Sequence, residues 1–397
     1  MIFTLEALRA RHGDCLLLHH GPAGDPGLIL IDGGAARVWE ERLEDRLDAL
    51  REERVGAGDQ PLPIELLMVS HIDDDHINGV LDLTDHLAEE KRARRPRPYE
   101  IGSLWHNSFD DVLGNHPEEL TRPGTAAVGG ASTAEGVPAA TLRAHQSALV
   151  LASVNQGRKL RDNARFLRLR VNSPGGTDGL ILAAEEPVPF GDDLTLRVVG
   201  PSRRRLLELQ EQWDRFLEEK GLGRVSPVEA ADFSDRSVFN LASIVVLAEA
   251  GGKSMLLTGD ARGDDVREGL REAGLWRPGE TFHVDLLKLP HHGSDRNVDT
   301  DFFRDVTADH YVVSGDGRHG NPEVATFEML LTARTDGRPF TIHMTYPPEE
   351  LPEAEEDYDL EGLEGAFERA RDQGKPFEVV TTAGGEDSLF VDLGDPL

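Results

Sequence analysis

Cysteine occurs once in the 397 residues, as Cys15. A disulfide within the chain is excluded, and so is a zinc site of four thiolates. Basic residues are also scarce: 42 Lys and Arg stand against 73 Asp and Glu, a formal net charge of −31. A protein that coats duplex nucleic acid or an anionic membrane needs a basic surface, because neutralised phosphates supply most of that affinity. This chain is repelled by such surfaces on average, although a local groove can still carry positive potential. Long apolar runs are missing too. The longest, around Leu241 to Ala248, falls far short of the ~20 residues that span a bilayer. Met1 to Glu6 has neither the basic start nor the apolar stretch of a secretory leader. The expectation is a cytoplasmic protein with no membrane partner.

What is present reads as a mixed α/β chain. Hydrophobic residues make up 39% of it, enough for a sizeable core. Short apolar runs (Cys15–Leu18, Leu28–Ile31, Ile64–Val69, Ile101–Trp105, Leu194–Val199, Ile244–Leu247, Ser254–Leu257, Val284–Leu289, His310–Ser314) predict strands. Helical spacing recurs at Leu43, Leu47 and Leu50 and from Ile77 to about Arg95, and Pro322 predicts a helix start before Val324. Two sheets sandwiched by helices are expected, as one domain over 1–397. Residues 110–190 break the alternation and read as a helical insertion or lid. Residues 345–397, with the acidic run Glu349–Asp359, read as a C-terminal extension.

Polar residues of interest cluster just after the strands, where α/β folds place their sites. Ser70-His71-Ile72-Asp73-Asp74-Asp75-His76 puts two imidazoles and three carboxylates in six consecutive positions after an apolar strand. Crowded carboxylates raise one another's pKa unless a cation neutralises them. His and Asp together suit Zn²⁺, Mn²⁺ or Fe²⁺. On a strand-to-helix turn, His71 and Asp73 can serve one position while Asp75 and His76 serve a second. Three further strand ends have the same character: Asp32 in Asp32-Gly33-Gly34, Asp260 in Thr258-Gly259-Asp260, and the pair in His291-His292-Gly293-Ser294.

This order of motifs resembles the metallo-β-lactamase fold superfamily, an αββα sandwich whose signature is H-x-H-x-D-H followed by a His, an Asp and a final His. It is more similar to the hydrolase domain of the competence protein ComEC and its stand-alone relatives. Those carry H-x-D-x-D-H, T-G-D and H-H-G-S, matched at His71–His76, Thr258–Asp260 and His291–Ser294. They also carry G-x-G-D, where this chain has Arg11-His12-Gly13-Asp14, and G-H-P, where it has Gly320-Asn321-Pro322. The resemblance runs over about 1–335, apart from 110–190. It implies two divalent ions, Zn²⁺ or Mn²⁺. His71 and Asp73 would hold the first; Asp75, His76 and one of His291 and His292, with His291 favoured, would hold the second; Asp260 would bridge them. Asp32 would support the site from behind, and Asp14 belongs to the N-terminal motif. The usual third-motif His is absent: Asn240 stands in its place and His106 could substitute, so the first ion would be held weakly.

The activity implied is hydrolysis by metal-activated water, with a phosphodiester as substrate, as in a nuclease or phosphodiesterase. Asp75, His292 and His319 are the catalytic candidates, the two imidazoles to bind phosphate or protonate the leaving oxygen. His319 lies in a glycine-rich loop beside Arg318. Two other readings stay open: hydrolysis of a small phosphodiester or cyclic nucleotide, which needs no basic track, and a non-catalytic regulatory module that binds metal. Arg158, Lys159, Arg161 and Arg165 could line a cleft or simply form an exposed helix face.

Overall fold

A computed structural model describes residues 1–56, 58–107, 155–177, 179–208, 242–353, 358–382 and 385–397. Residues 110–154 of the expected insertion, and Asn240, lie outside the described residues. The chain forms an αββα sandwich. Its first sheet runs β18-β1-β2-β3-β5-β7 and its second β10-β11-β12-β13-β14-β15-β16-β17. The strands are β1 (Ile2–Leu8), β2 (Leu16–Gly21), β3 (Gly27–Ile31), β4 (Leu62–Ile64), β5 (Leu66–Met68), β6 (Tyr99–Ile101), β7 (Leu104–Trp105), β8 (Gly176–Thr177) and β9 (Leu180–Ile181). They continue with β10 (Val188–Phe190), β11 (Leu194–Gly200), β12 (Val245–Ala250), β13 (Lys253–Leu257), β14 (Phe282–Lys288), β15 (Val306–Val313), β16 (Phe340–Met344), β17 (Phe377–Thr381) and β18 (Ser388–Asp392). β4 with β6, and β8 with β9, form two small separate pairs.

Near-continuous apolar strands need cover on both faces, and period-two alternation assigns each residue its layer. Leu16, Leu18, Ile29 and Ile31 face inward, where they share one core with Met255, Leu257 and Leu286 of the other sheet. Leu17, Leu28 and Leu30, one position out of phase, face outward into a second core with Leu47 and Leu50 of α1 (Glu44–Arg54) and Ile77 and Val80 of α2 (Asp74–Ala93). Leu160, Ala164 and Leu167 of the helical residues 155–167 join that outer core. Leu256 and Leu287 face outward from the second sheet. There they meet α3 (Gly263–Glu272), α4 (Thr300–Asp305), α5 (Val324–Ala333) and α6 (Leu360–Asp372).

Two expectations are corrected by the packing. The residues read as a C-terminal extension are part of the sandwich: β17 lies parallel to β16, β18 pairs antiparallel with β1, and Leu363 and Phe367 of α6 are buried in the outer core. Pro322 is not the first helical residue; it follows a cis peptide and sits two residues before α5, whose N-cap is Glu323.

The parallel halves of the two sheets, β3-β5-β7 and β13 to β17, bring their carboxyl ends to one rim. A close approach seals the turn after β3 onto α2. A Cβ on Gly79 would sit 2.1 Å from the Gly33 carbonyl oxygen, so only glycine allows the contact. The Gly33 amide donates to the His76 carbonyl at 2.7 Å. This contact carries Asp32 to His76.

Candidate metal centre

Each strand end delivers one part of the site. Asp73 is the N-cap of α2, and Asp74 and Asp75 occupy its first turn, where carboxylates complement the helix dipole. The Arg11–Asp14 loop docks beside it, through an Asp14 amide to Asp75 carbonyl bond of 3.2 Å. Asp260 lies in the turn three residues after β13 and is buried, as are His71, His76 and His292. His291 and His292 follow β14 with φ of 47° and 52°.

The two Asp260 oxygens face different partners. Oδ1 lies 3.2 Å from His76 Nε2 and 3.6 Å from His292 Nε2. Oδ2 lies 3.5 Å from both His71 Nε2 and His291 Nε2. Asp75 approaches His76 at 3.9 Å and His292 at 3.5 Å, and Asp73 approaches His71 at 3.8 Å. Sequence reasoning favoured His291 as the partner of Asp75 and His76; the structure places His292 there and His291 on the other side of Asp260.

The hydrogen-bond network assigns the tautomer of all four imidazoles. Asp32 accepts from the Ser70 amide at 2.7 Å, from the Ser70 hydroxyl at 2.6 Å, and from His76 Nδ1 at 2.9 Å. With its proton on Asp32, Ser70 Oγ can only accept from His71 Nδ1, 3.1 Å away. Ser314 donates its hydroxyl proton to Asp14, so its oxygen accepts from His292 Nδ1 at 3.2 Å. Asn297 donates Nδ2 to the Asp260 carbonyl at 3.0 Å, which turns its Oδ1 toward His291 Nδ1 at 2.8 Å. All four Nδ1 atoms therefore carry protons, and all four Nε2 atoms turn toward Asp260.

Nitrogens this close repel unless a proton or a metal ion lies between them. His76 Nε2 and His292 Nε2 are 3.2 Å apart. His71 Nε2 and Asp260 Oδ1 are buried without a hydrogen-bond partner, a state that natural cores avoid. Asp14, His76, Asp260 and His292 form one tight group of ligand atoms, and His71, Asp75 and His76 form another. The charges agree. Burial opposes protonation of His292, but Asp14 and Asp260 outweigh it and push its pKa up to about 9. Burial likewise opposes a charge on His76, yet Asp260, Asp32 and Asp75 drive it well above the ordinary imidazole range. Burial raises Asp73 to about 6, aided by Asp75 and Asp260. Burial would also raise Asp260, but His291, His76 and His71 hold it well below the usual carboxylate range. The pocket thus calls for positive charge, and its donor set of imidazoles and carboxylates fits divalent transition metals.

Asp14 is a buried anchor behind His292, paired with Lys288 Nζ at 2.8 Å. Lys288 is fully buried. A lone lysine inside Leu286-Leu287-Lys288-Leu289 is the signal that could have found it, since a buried cation needs a carboxylate. Asn297 had no such signal. His106 is buried at the end of β7 with its backbone held by Asn172; neither tight group includes it, and neither includes Asp73 or His291. His319 is exposed on the rim, its ring edge-on to His12 at 5.6 Å. Of the basic residues on 155–167, Lys159 pairs with Asp85 and Arg165 with Asp162, which neutralises part of that face.

No family model matches the chain. Among curated proteins, 57 residues are 44% identical to microtubule-associated protein 1A of Rattus norvegicus, Mus musculus and Homo sapiens. That match is 14% of this chain, which spans 2% of the length of those relatives. Solved structures similar to it include the metallo-β-lactamase fold protein YhfI of Bacillus subtilis, at 10% identity and a TM-score of 0.37, covering 98% of this chain and 99% of that one. Zn²⁺-bound PqqB of Methylobacterium extorquens is 15% identical, with a TM-score of 0.37 over 95% and 87%. CmlA of Streptomyces venezuelae, a diiron β-hydroxylase, is 13% identical, with a TM-score of 0.37 over 99% and 55%. No helix among the described residues is long and apolar enough to cross a membrane.

Proposed function

We propose that this protein is a metal-dependent hydrolase of the metallo-β-lactamase type, acting on phosphodiesters as a phosphodiesterase or nuclease. The observation that carries the reading is the convergence of four imidazole Nε2 atoms on Asp260. His71, Asp73, Asp75, His76, Asp260 and the His291–His292 pair would hold the ions, Zn²⁺ or Mn²⁺. Divalent ions bound there would acidify water and neutralise charge building on a phosphoryl oxygen. The chain's own residues do the rest. Asp32 and Ser70 orient His76 and His71, and Asp14 and Ser314 orient His292. Such supporting hydrogen bonds keep ligand geometry rigid. His319 and Arg318 on the rim would meet an anionic substrate, with His12 beside His319. The ComEC-type motif set supports a phosphodiester substrate.

The net charge of −31 favours a second, narrower form of the same reading, in which the substrate is a small phosphodiester and not a polymer. Purified protein assayed on bis-p-nitrophenyl phosphate, single-stranded DNA, duplex DNA and RNA, with Mn²⁺ or Zn²⁺, separates the two forms. Activity that requires metal and disappears in Asp260→Ala supports the proposal. Equal trace activity in both proteins overturns it.

A further inference from the structure

We infer that the adjacent histidines divide between two ion positions, one each, on either side of Asp260. This rests on the metal-binding reading above and deepens it. His291 would serve the Oδ2 side with His71, which Asp73 approaches, and His292 the Oδ1 side with Asp75 and His76. Three observations point the same way. The two imidazoles approach different oxygens of one carboxylate, at 3.5 Å and 3.6 Å. Each is fixed through Nδ1 by its own acceptors, Asn297 for His291 and Ser314 with Asp14 for His292. The backbone between them is left-handed at two consecutive non-glycine residues, φ 47° and 52°. Such conformations are disfavoured and persist where function requires them. Here they splay neighbouring side chains, with ring centroids 5.9 Å apart and planes at 76°. Asn297 is accordingly a positioning residue: it binds the Asp260 backbone and the His291 ring together.

The test is calorimetric titration of metal-free protein with Mn²⁺, with metal content after dialysis read by mass spectrometry. Wild type should take up about two equivalents, as tight sites retain metal through handling. His291→Ala and His292→Ala should each take up about one, with the remaining position close to wild-type affinity. Asn297→Leu removes no ligand and should weaken one position by about 10–100-fold while sparing the other; it keeps the test open if His291→Ala does not fold. Two equivalents at undiminished affinity in His291→Ala, or an unchanged Asn297→Leu, would overturn the division. A wild type that takes only one ion overturns it as well. A wild type that binds none removes the metal reading itself, which separates the two failures.

Discussion

Lys288 offers a sharp test of how the site is supported. Its ammonium is fully buried at the end of β14, 2.8 Å from Asp14 Oδ2. Lys288→Met keeps the hydrocarbon stem and removes the charge, leaving a carboxylate in the core. Breaking a buried pair from one side costs about 3–5 kcal/mol. An upper limit follows independently. The stranded carboxyl can escape by taking a proton, which at pH 7 costs roughly 4 kcal/mol for an Asp of ordinary pKa. The two figures agree, so a loss near 4 kcal/mol is expected in urea unfolding of metal-free protein at pH 7. In the wild type, burial opposes the Asp14 charge, but Lys288 and His292 hold its pKa well below the usual carboxylate range. Its stabilisation is thus complete above the unfolded pKa and fades only as pH falls below it. In the variant, escape by protonation becomes cheaper by roughly 1.4 kcal/mol per pH unit. The deficit against wild type should therefore shrink between pH 7 and pH 5. Asp14→Asn combined with Lys288→Met should cost at least ~1 kcal/mol less than the two singles added. A deficit below ~1 kcal/mol at pH 7, or one that grows as pH falls, would refute the reasoning.

Glu6 is buried on β1, where it accepts from Arg46 at 2.6 Å, His19 at 2.9 Å and Ser388 at 2.7 Å. Burial opposes its charge, but His19 and Arg46 lower its pKa from 4.5 to about 2. That depression contributes roughly 3 kcal/mol above the unfolded pKa, lost as pH falls from about 4.5 toward 2. Glu6→Gln should carry a deficit of this size in urea unfolding at pH 7, shrinking below about pH 4.5. Asp32→Ala strips the acceptor from both His76 Nδ1 and Ser70. It should weaken Mn²⁺ binding by about 10–100-fold in calorimetry, with little change in the far-ultraviolet circular dichroism.

The sandwich was legible where both strand faces are apolar. Leu28–Ile31 and Met255–Leu257 split cleanly between the inner and outer cores. β17 and β18 were not legible. Their outward positions carry Glu378, Val380, Phe390 and Asp392, and the acidic run before them reads as solvated chain. The residues that meet around Asp260 were visible at the strand ends only in combination: one Asp or His there can cap a turn, but four strand ends with imidazoles and carboxylates are hard to attribute to turns alone. The division of His291 from His292 was hidden. It depends on two left-handed residues, which no pattern of side chains announces. Asn297 was hidden for a related reason: its role comes from the chain doubling back after Gly293, whose φ is 83°. Lys288 and Asp14 lie 274 positions apart, and only the pairing of the two sheets brings them together.

The central claim is that Asp260 joins two groups of metal ligands. Mn²⁺ titration of metal-free wild type and Asp260→Asn tests it most directly, since the amide keeps the side chain's shape but loses its charge. Both ion positions should weaken together in the variant, because its two oxygens face His76 and His292 on one side and His71 and His291 on the other. Undiminished binding at either position, or a wild type that takes up no Mn²⁺, would contradict it.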